Sequence, residues 1–216
     1  MDEDARVESG PTTESRDAMS ESASVTNDAV KRILHAALEN IAAEKISGSY
    51  LRDIASRAGI SQGTLHYYFP SKMGLYQAVL ENMSRTFIEQ RKSSLEDPGS
   101  APREKLGIFF SQMKDVLLHQ RSMMLVYYDF WVQASRDSEI QATVKRIYDR
   151  WRADINRVLA EGVKRGDFEQ ERTCMLSQLM VSLMEGASLQ YMVDRDGIDL
   201  DTYFERANEA VQHLLD

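Results

Sequence analysis

Gln62, Gly63, Thr64 and His66 stand within five residues of one another, and together they carry chemistry suited to reading a base edge. Glutamine pairs with adenine in a bidentate way, and threonine bonds a base or touches a thymine methyl. Glycine lets the backbone come close. His66 fits a base contact as well as an ordinary surface histidine. Tyr67, Tyr68 and Lys72 follow directly and offer hydroxyl and ammonium donors for the phosphates that flank a groove. Other chemistries are poorly served. His35, His66, His119 and His213 are scattered without metal-ligand spacing, so no metal and no cofactor is expected. No glycine-rich phosphate loop precedes a Lys-Ser/Thr pair. Cys174 is the single cysteine; it excludes an intramolecular disulfide, fits a reducing cytoplasmic setting and reads as a core thiol of an apolar helix. A catalytic site is not expected, and an all-α enzyme is kept as the alternative from another class.

These residues need a frame that holds them outward. Val30, Ile33, Leu34, Ala37, Leu38 and Ile41 repeat at three- and four-residue spacing, giving a first helix from Asn27 to about Gly48. A short second helix, 51–58, precedes Gly59, which sits where a left-handed C-terminal residue is required. Ser61 is an N-cap candidate for a third helix, 62–69, stopped by Pro70; Ser71 caps a fourth that runs to about residue 95. Two short helices joined by a glycine-containing turn form a helix-turn-helix, whose second helix enters the major groove. Five further helices follow the 96–100 loop: from Pro102, over 123–131, from Ser138 to Gly166, over 172–193, and after 201. No period-2 alternation is present. The fold class is all-α, with an N-terminal three-helix DNA-binding domain with helix-turn-helix over 27–72 and a larger helical domain over 73–216.

The chain has 216 residues and a formal net charge of −8. That balance argues against nucleic acid only until its distribution is examined. Residues 1–27 hold seven acids against two bases, while residues 28–85 hold seven bases against five acids. Phosphate binding depends on which face carries the bases, so the helix-turn-helix segment remains compatible with DNA. Residues 1–26, acidic and short of large apolar side chains, read as a disordered tail. The longest apolar run, 123–128, is too short to cross a bilayer, and no stretch reads as a secretory signal.

The stretch Leu51-Arg-Asp-Ile-Ala-Ser-Arg-Ala-Gly-Ile-Ser-Gln-Gly-Thr-Leu-His-Tyr-Tyr-Phe-Pro-Ser-Lys-Met-Gly-Leu resembles the DNA-binding signature of the TetR family of repressors, over roughly residues 28–85. The segment around 130–168 is similar to the BetI-type C-terminal subgroup, and the resemblance implies an effector-binding and dimerisation domain over 73–216. The resemblance implies base contacts from Gln62, Thr64 and His66, and phosphate contacts from Arg52, Tyr67, Tyr68 and Lys72. Two positions depart from the family: His66 stands where tyrosine is usual, and Tyr50 where threonine or serine is usual. The second change moves the helix cap to Ser49 or removes a phosphate contact.

The methionines and aromatics of 113–131 and 175–192 fit either a plain core or a pocket, since methionine adapts to varied apolar ligands. The resemblance implies a cavity between the fourth and eighth helices. Met113, Met124, Tyr128, Trp131, Met180 and Met184 are its candidate lining, with His119, Gln133 and Gln178 as candidate polar groups. The eighth helix is apolar nearly all round, which calls for burial on more than one side. A homodimer through the last two helices is the economical arrangement, with Gly186, Ala187 and Ser188 allowing close approach and Tyr203, Ala207, Ala210 and Leu214 completing a four-helix interface. The expected function is a repressor that binds double-stranded operator DNA as a dimer and is released by a small apolar or amphipathic effector, with no membrane partner. A helix-turn-helix regulator that answers a protein partner, or nothing, is the alternative.

Overall fold

The computed structural model describes residues 13–216, with side chains from residue 27 onward. Of the acidic segment 1–26, expected to be disordered, residues 1–12 lie outside them, and 13–26 form the first turns of a helix that starts at Thr13 and not at Asn27. Among the described residues the chain forms nine α-helices and no strand: α1 (Thr13–Gly48), α2 (Leu51–Arg57), α3 (Gln62–Tyr68), α4 (Lys72–Glu96), α5 (Pro102–His119), α6 (Arg121–Ala134), α7 (Ser138–Arg165), α8 (Leu176–Val193) and α9 (Leu200–Leu215). No helix among them is long and apolar enough to cross a membrane.

Local chemistry explains most of the boundaries. At the end of α2 the Gly59 N–H donates to Ser56 O at 3.1 Å and the Ile60 N–H donates to Ala55 O at 3.0 Å. That pairing is a Schellman turn, and it requires the positive φ of 68° found at Gly59. Ser61 then caps α3, its hydroxyl accepting from Thr64 N at 3.0 Å, and Ser71 caps α4 by accepting from Gly74 N at 3.0 Å. The cap of α7 is Asp137, one residue before the expected Ser138: its Oδ1 accepts from Glu139 N at 2.9 Å and Ile140 N at 3.1 Å. A carboxylate at the positive end of a helix is the better acceptor.

Further expectations are corrected. The eighth helix begins at Leu176 and not near Arg172, because Gln170–Thr173 form a 3₁₀ turn and Met175 takes a φ of 60°. Cys174 therefore falls outside α8 and is exposed, not a core thiol. Tyr50 itself is the N-terminal cap residue of α2, without a side-chain cap bond, while Ser49 is buried and donates to Asn40 Oδ1 at 2.5 Å.

The helices enclose two cores. The first joins Ile33, Ala37 and Ile41 of α1 to Ile54, Ala55 and Leu65 of the short pair, to Leu75, Val79 and Leu80 of α4, and also to Val126 and Phe130 of α6 and Val144 of α7. The second joins α5, α7, α8 and α9 around Phe109, Phe110, Val158, Met180, Met184 and Phe204. The 25-residue α4 supplies its first half to one core, and its Phe87 packs against the other. α1 also ends against α6: its helical path breaks at Lys45 (φ 60°, ψ 170°), and the freed Ile46 N–H donates to Asp129 Oδ2 of α6 at 2.6 Å.

Candidate nucleic-acid interface and effector cavity

α3 has one inward residue. Leu65 is fully buried, and its neighbours Gln62, Gly63, Thr64, His66 and Tyr67 are exposed. Tyr67 reaches 81 % exposure. Its ring stacks edge-on against Tyr68 at 5.2 Å between centroids, and Tyr68 is half-buried. Thr64 Oγ1 lies 2.8 Å from Ser61 Oγ, so the hydroxyl is held at the start of the helix. Arg52 projects from α2 with an 80 % exposed side chain, tied only to the adjacent Asp53 at 3.3 Å. Lys72 is placed differently from the rest. Its ammonium is folded back, 5.4 Å from the centre of the Tyr76 ring and 5.9 Å from that of Tyr50, and it donates to Ile46 O at 3.4 Å. Lys72 thus steadies the end of α1 in this state, and Tyr50, 62 % exposed, covers it from outside.

The second site is internal. A cavity of about 70 Å³ opens between α4, α5, α6, α7 and α8. Phe87, Phe109, Tyr127 and Trp151 give it aromatic walls, and Met83, Met113, Met123 and Met124 give it flexible ones. Three charged side chains reach it: Arg91, Arg150 and Glu185. Arg91 is buried, ion-paired with Asp154 and bonded through Nη1 to Gln112 Oε1 at 3.2 Å. Arg150 Nη2 donates to Glu81 Oε2 at 2.5 Å. Glu185 has no cationic partner among the described residues; Tyr127 donates to its Oε1 at 3.0 Å. Burial raises the Glu185 carboxyl above the usual carboxylate range, against the opposing pull of the Tyr127 and Tyr148 hydroxyls. Burial likewise raises the Tyr127 phenol well above its ordinary value, with the Glu185 charge adding to the effect.

Residues 33–79 match the model for bacterial regulatory proteins of the tetR family, and residues 102–216 match the model for the C-terminal domain of BetI-type transcriptional repressors. The chain belongs to the TetR family. It is 22 % identical to the HTH-type transcriptional regulator BetI of Cronobacter sakazakii over 86 % of this chain and 90 % of that one. A putative transcriptional regulator from Saccharomonospora viridis, solved in complex with choline, superposes with a TM-score of 0.74 at 24 % identity, covering 87 % of this chain and 97 % of that one. FadR of Bacillus subtilis, solved with stearoyl-CoA, gives a TM-score of 0.71 at 20 % identity, covering 86 % and 97 %. These structural likenesses establish a shared fold. The family consists of transcriptional regulators and not enzymes.

Within this TetR-family fold, the residues expected at a pocket are dispersed. Met113 and Met124 line the cavity. Met180 and Met184 lie fully buried in the second core. Trp131 is 47 % exposed on the outer side of α6, and Tyr128 packs against the second core beside the cavity. His119 and Gln178 are exposed. The groups that the sequence reading passed over are Tyr127, Arg91, Arg150 and Glu185. One signal for Glu185 was present: it is the only charged residue between Leu176 and Val193. A charge kept within an otherwise apolar helix calls for a partner.

Proposed function

We propose that this TetR-family regulator is a repressor that binds operator DNA as a homodimer and leaves it when a small molecule fills the cavity beside α4. The observation that carries the reading is α3, with its single apolar residue locked into the core and Gln62, Thr64, His66 and Tyr67 all facing solvent. A helix built this way has a fixed base and a free polar edge, which suits a major groove. Gln62, Thr64 and His66 take base contacts, Gly63 allows the close approach, and Arg52, Tyr67 and Tyr68 take phosphates. Lys72 joins them once its ammonium swings away from Tyr50 and Tyr76.

The dimer reading is supported by α8. Leu179, Leu189 and Val193 are 40 %, 48 % and 90 % exposed, and they share one stripe with Ser182 and Gly186. A Cβ on Gly186 would meet nothing within 4 Å in the protomer, so that surface is open to a partner helix. From α9, Ala210 and Leu214 are exposed and available, whereas Ala207 is buried within the protomer and the Tyr203 hydroxyl is bound to Leu183 O at 2.9 Å.

The two α3 helices of such a dimer must stand about 34–36 Å apart to enter successive grooves. Two connections tie that spacing to the cavity. α4 runs from the base of the reading helix to the cavity wall, and α6 carries both Tyr127 in the wall and Asp129 on the Ile46 N–H. An effector that binds better when these helices are displaced weakens operator binding by the same factor.

The test is operator selection from random DNA, followed by gel shift over a salt series. The wild-type protein is expected to bind one sequence tightly and with salt dependence. Thr64→Ala and His66→Ala each cost about 1–3 kcal/mol of discrimination without changing thermal stability. Unchanged operator affinity in the double variant would sink the assignment of the reading helix.

A further inference from the structure

Ile46 is held at both of its backbone polar groups by two different helices. Its N–H donates to Asp129 Oδ2 of α6 at 2.6 Å. Its carbonyl accepts from Lys72 Nζ of α4 at 3.4 Å, and the Tyr76 hydroxyl donates to the same oxygen at 3.4 Å. α6 reaches this node a second time, where the Phe130 ring packs edge-on against that of Tyr76 with 5.9 Å between centroids. The residue before Ile46 is strained. Lys45, at φ 60° and ψ 170°, occupies a region that residues with side chains adopt only where their surroundings impose it. The Asp129 bond favours that geometry, because it satisfies the N–H that the break in α1 frees. Lys72 itself has no carboxylate within ion-pair distance among the described residues. Its ammonium rests on one carbonyl and on the ring faces of Tyr50 and Tyr76. Neutral partners leave a lysine with donor capacity and with a charge that a phosphate binds more strongly.

We infer that Asp129 is a positioning residue for DNA binding, although it belongs to α6: by fixing Ile46 it keeps that residue's carbonyl on the Lys72 ammonium and withholds the ammonium from a DNA phosphate. The folded-back ammonium has to leave the carbonyl and the two rings before it reaches a phosphate outside, so every interaction that steadies Ile46 opposes the phosphate contact. Loss of the Asp129 bond frees the Ile46 N–H, lets Lys45 relax out of its strained conformation and carries the Ile46 carbonyl off Lys72. The inference rests on the operator-binding reading above, and adds to it a residue remote from the reading helix that tunes the strength of one phosphate contact. Tyr127, two residues before Asp129 on α6, stands in the cavity wall. A displacement of that stretch of α6 therefore acts on Lys72 through Asp129.

The experiment uses the full-length protein and two readouts. The first needs no DNA: lysines are reductively methylated, and the rate at Lys72 is followed by peptide mass spectrometry. Asp129→Ala is expected to raise that rate at least about threefold, the scale of one lost hydrogen bond, while Asp129→Asn, which keeps an acceptor and removes the charge, stays at the wild-type rate. The second is gel shift with the selected operator. Asp129→Ala is expected to bind at least about threefold more tightly than wild type, Asp129→Asn to match wild type, and Asp129→Ala to gain nothing when Lys72→Met is also present. The asparagine variant separates the hydrogen bond from the simple removal of a negative charge near DNA. Should Asp129→Ala not fold, Asp129→Ser carries the same predictions. An unchanged Lys72 rate, an equal gain in the alanine and asparagine variants, a gain that survives Lys72→Met, or weaker operator binding in Asp129→Ala overturns the inference. The two readings fail separately. Operator binding with unchanged Lys72 labelling removes this inference alone; absence of any selected operator, with the labelling as expected, removes the regulator reading and leaves the hold of Asp129 on Lys72.

Discussion

In the reading head, the polar side chains of α3 face solvent and the inward Leu65 is apolar; the buried polar pair Asn40 and Ser49 is neutral and mutually bonded. In the larger helical unit that holds the cavity, Arg91, Lys105 and Asp154 are buried, and Glu185 lines the cavity with Arg91. The head thus leaves its hydrogen-bonding capacity for a partner outside, and its own stability does not depend on that partner. The effector domain turns charge inward, where each group needs an internal counter-ion. Lys105 has Glu161 at 2.9 Å and Arg91 has Asp154, but Glu185 has none among the described residues. A surface that must read a fixed lattice of bases benefits from a settled interior.

The sharpest way to break this comparison is to unpair the effector domain. Arg91→Ala leaves Asp154 buried with only the exposed Arg157 at 3.2 Å. Removing one partner of a buried ion pair costs about 3–5 kcal/mol, because the remaining charge keeps its desolvation penalty. Denaturant unfolding should show that loss, and Arg91→Met with Asp154→Leu should recover most of it. If Arg91→Ala costs under about 1 kcal/mol, the inward charges are better solvated than the burial of Arg91 implies.

A smaller effect is expected in the head, where the determinant is backbone and not charge. Gly59→Ala places a Cβ in open space, since nothing lies within 4 Å of that position. The whole cost is the positive φ of 68°, about 1–2 kcal/mol for a residue with a side chain. Thermal unfolding should register it, and operator affinity should fall as well because the α2–α3 angle is set there. A neutral result would mean that the turn relaxes without moving α3.

How far each region is legible in sequence follows from the same contrast. The head is written in local signals: Gly59 for the turn, Ser61 and Ser71 for the caps, Leu65 between exposed neighbours. Each acts within a few residues, so spacing alone locates the reading face. Lys72 is an exception, because its fold-back depends on Tyr50, Tyr76 and the end of α1, up to 26 residues away. The cavity is written in long-range contacts. Tyr127 and Glu185 are 58 residues apart and Arg91 and Asp154 are 63 apart. Composition marks both α5–α6 and α8 as rich in methionine, yet Met113 reaches the cavity while Met180 and Met184 fill the core. Only the helix rotations decide which, and a helical stripe does not encode those on its own.

The smallest effect tests whether Glu185 carries the unmatched charge at all. Tyr127 and Tyr128 face it from α6 and Tyr148 from α7, while Arg91 of α4 and Arg150 of α7 line the same cavity. Its carboxyl titrates above the usual carboxylate range when folded, so the folded state binds the proton more tightly than the unfolded chain. The stabilisation is fully present below the unfolded value and is lost as pH rises through the folded one. Asp97, Asp149, Asp199 and Glu161, all lowered, act in the opposite sense at lower pH, losing their contribution as pH falls. Melting temperatures measured upward from the ordinary carboxylate range should therefore decline more steeply in wild type than in Glu185→Gln. Parallel curves for the two proteins would mean that Glu185 is as well solvated folded as unfolded, and the contrast between a completed head and an incomplete cavity would fail at the residue on which it depends.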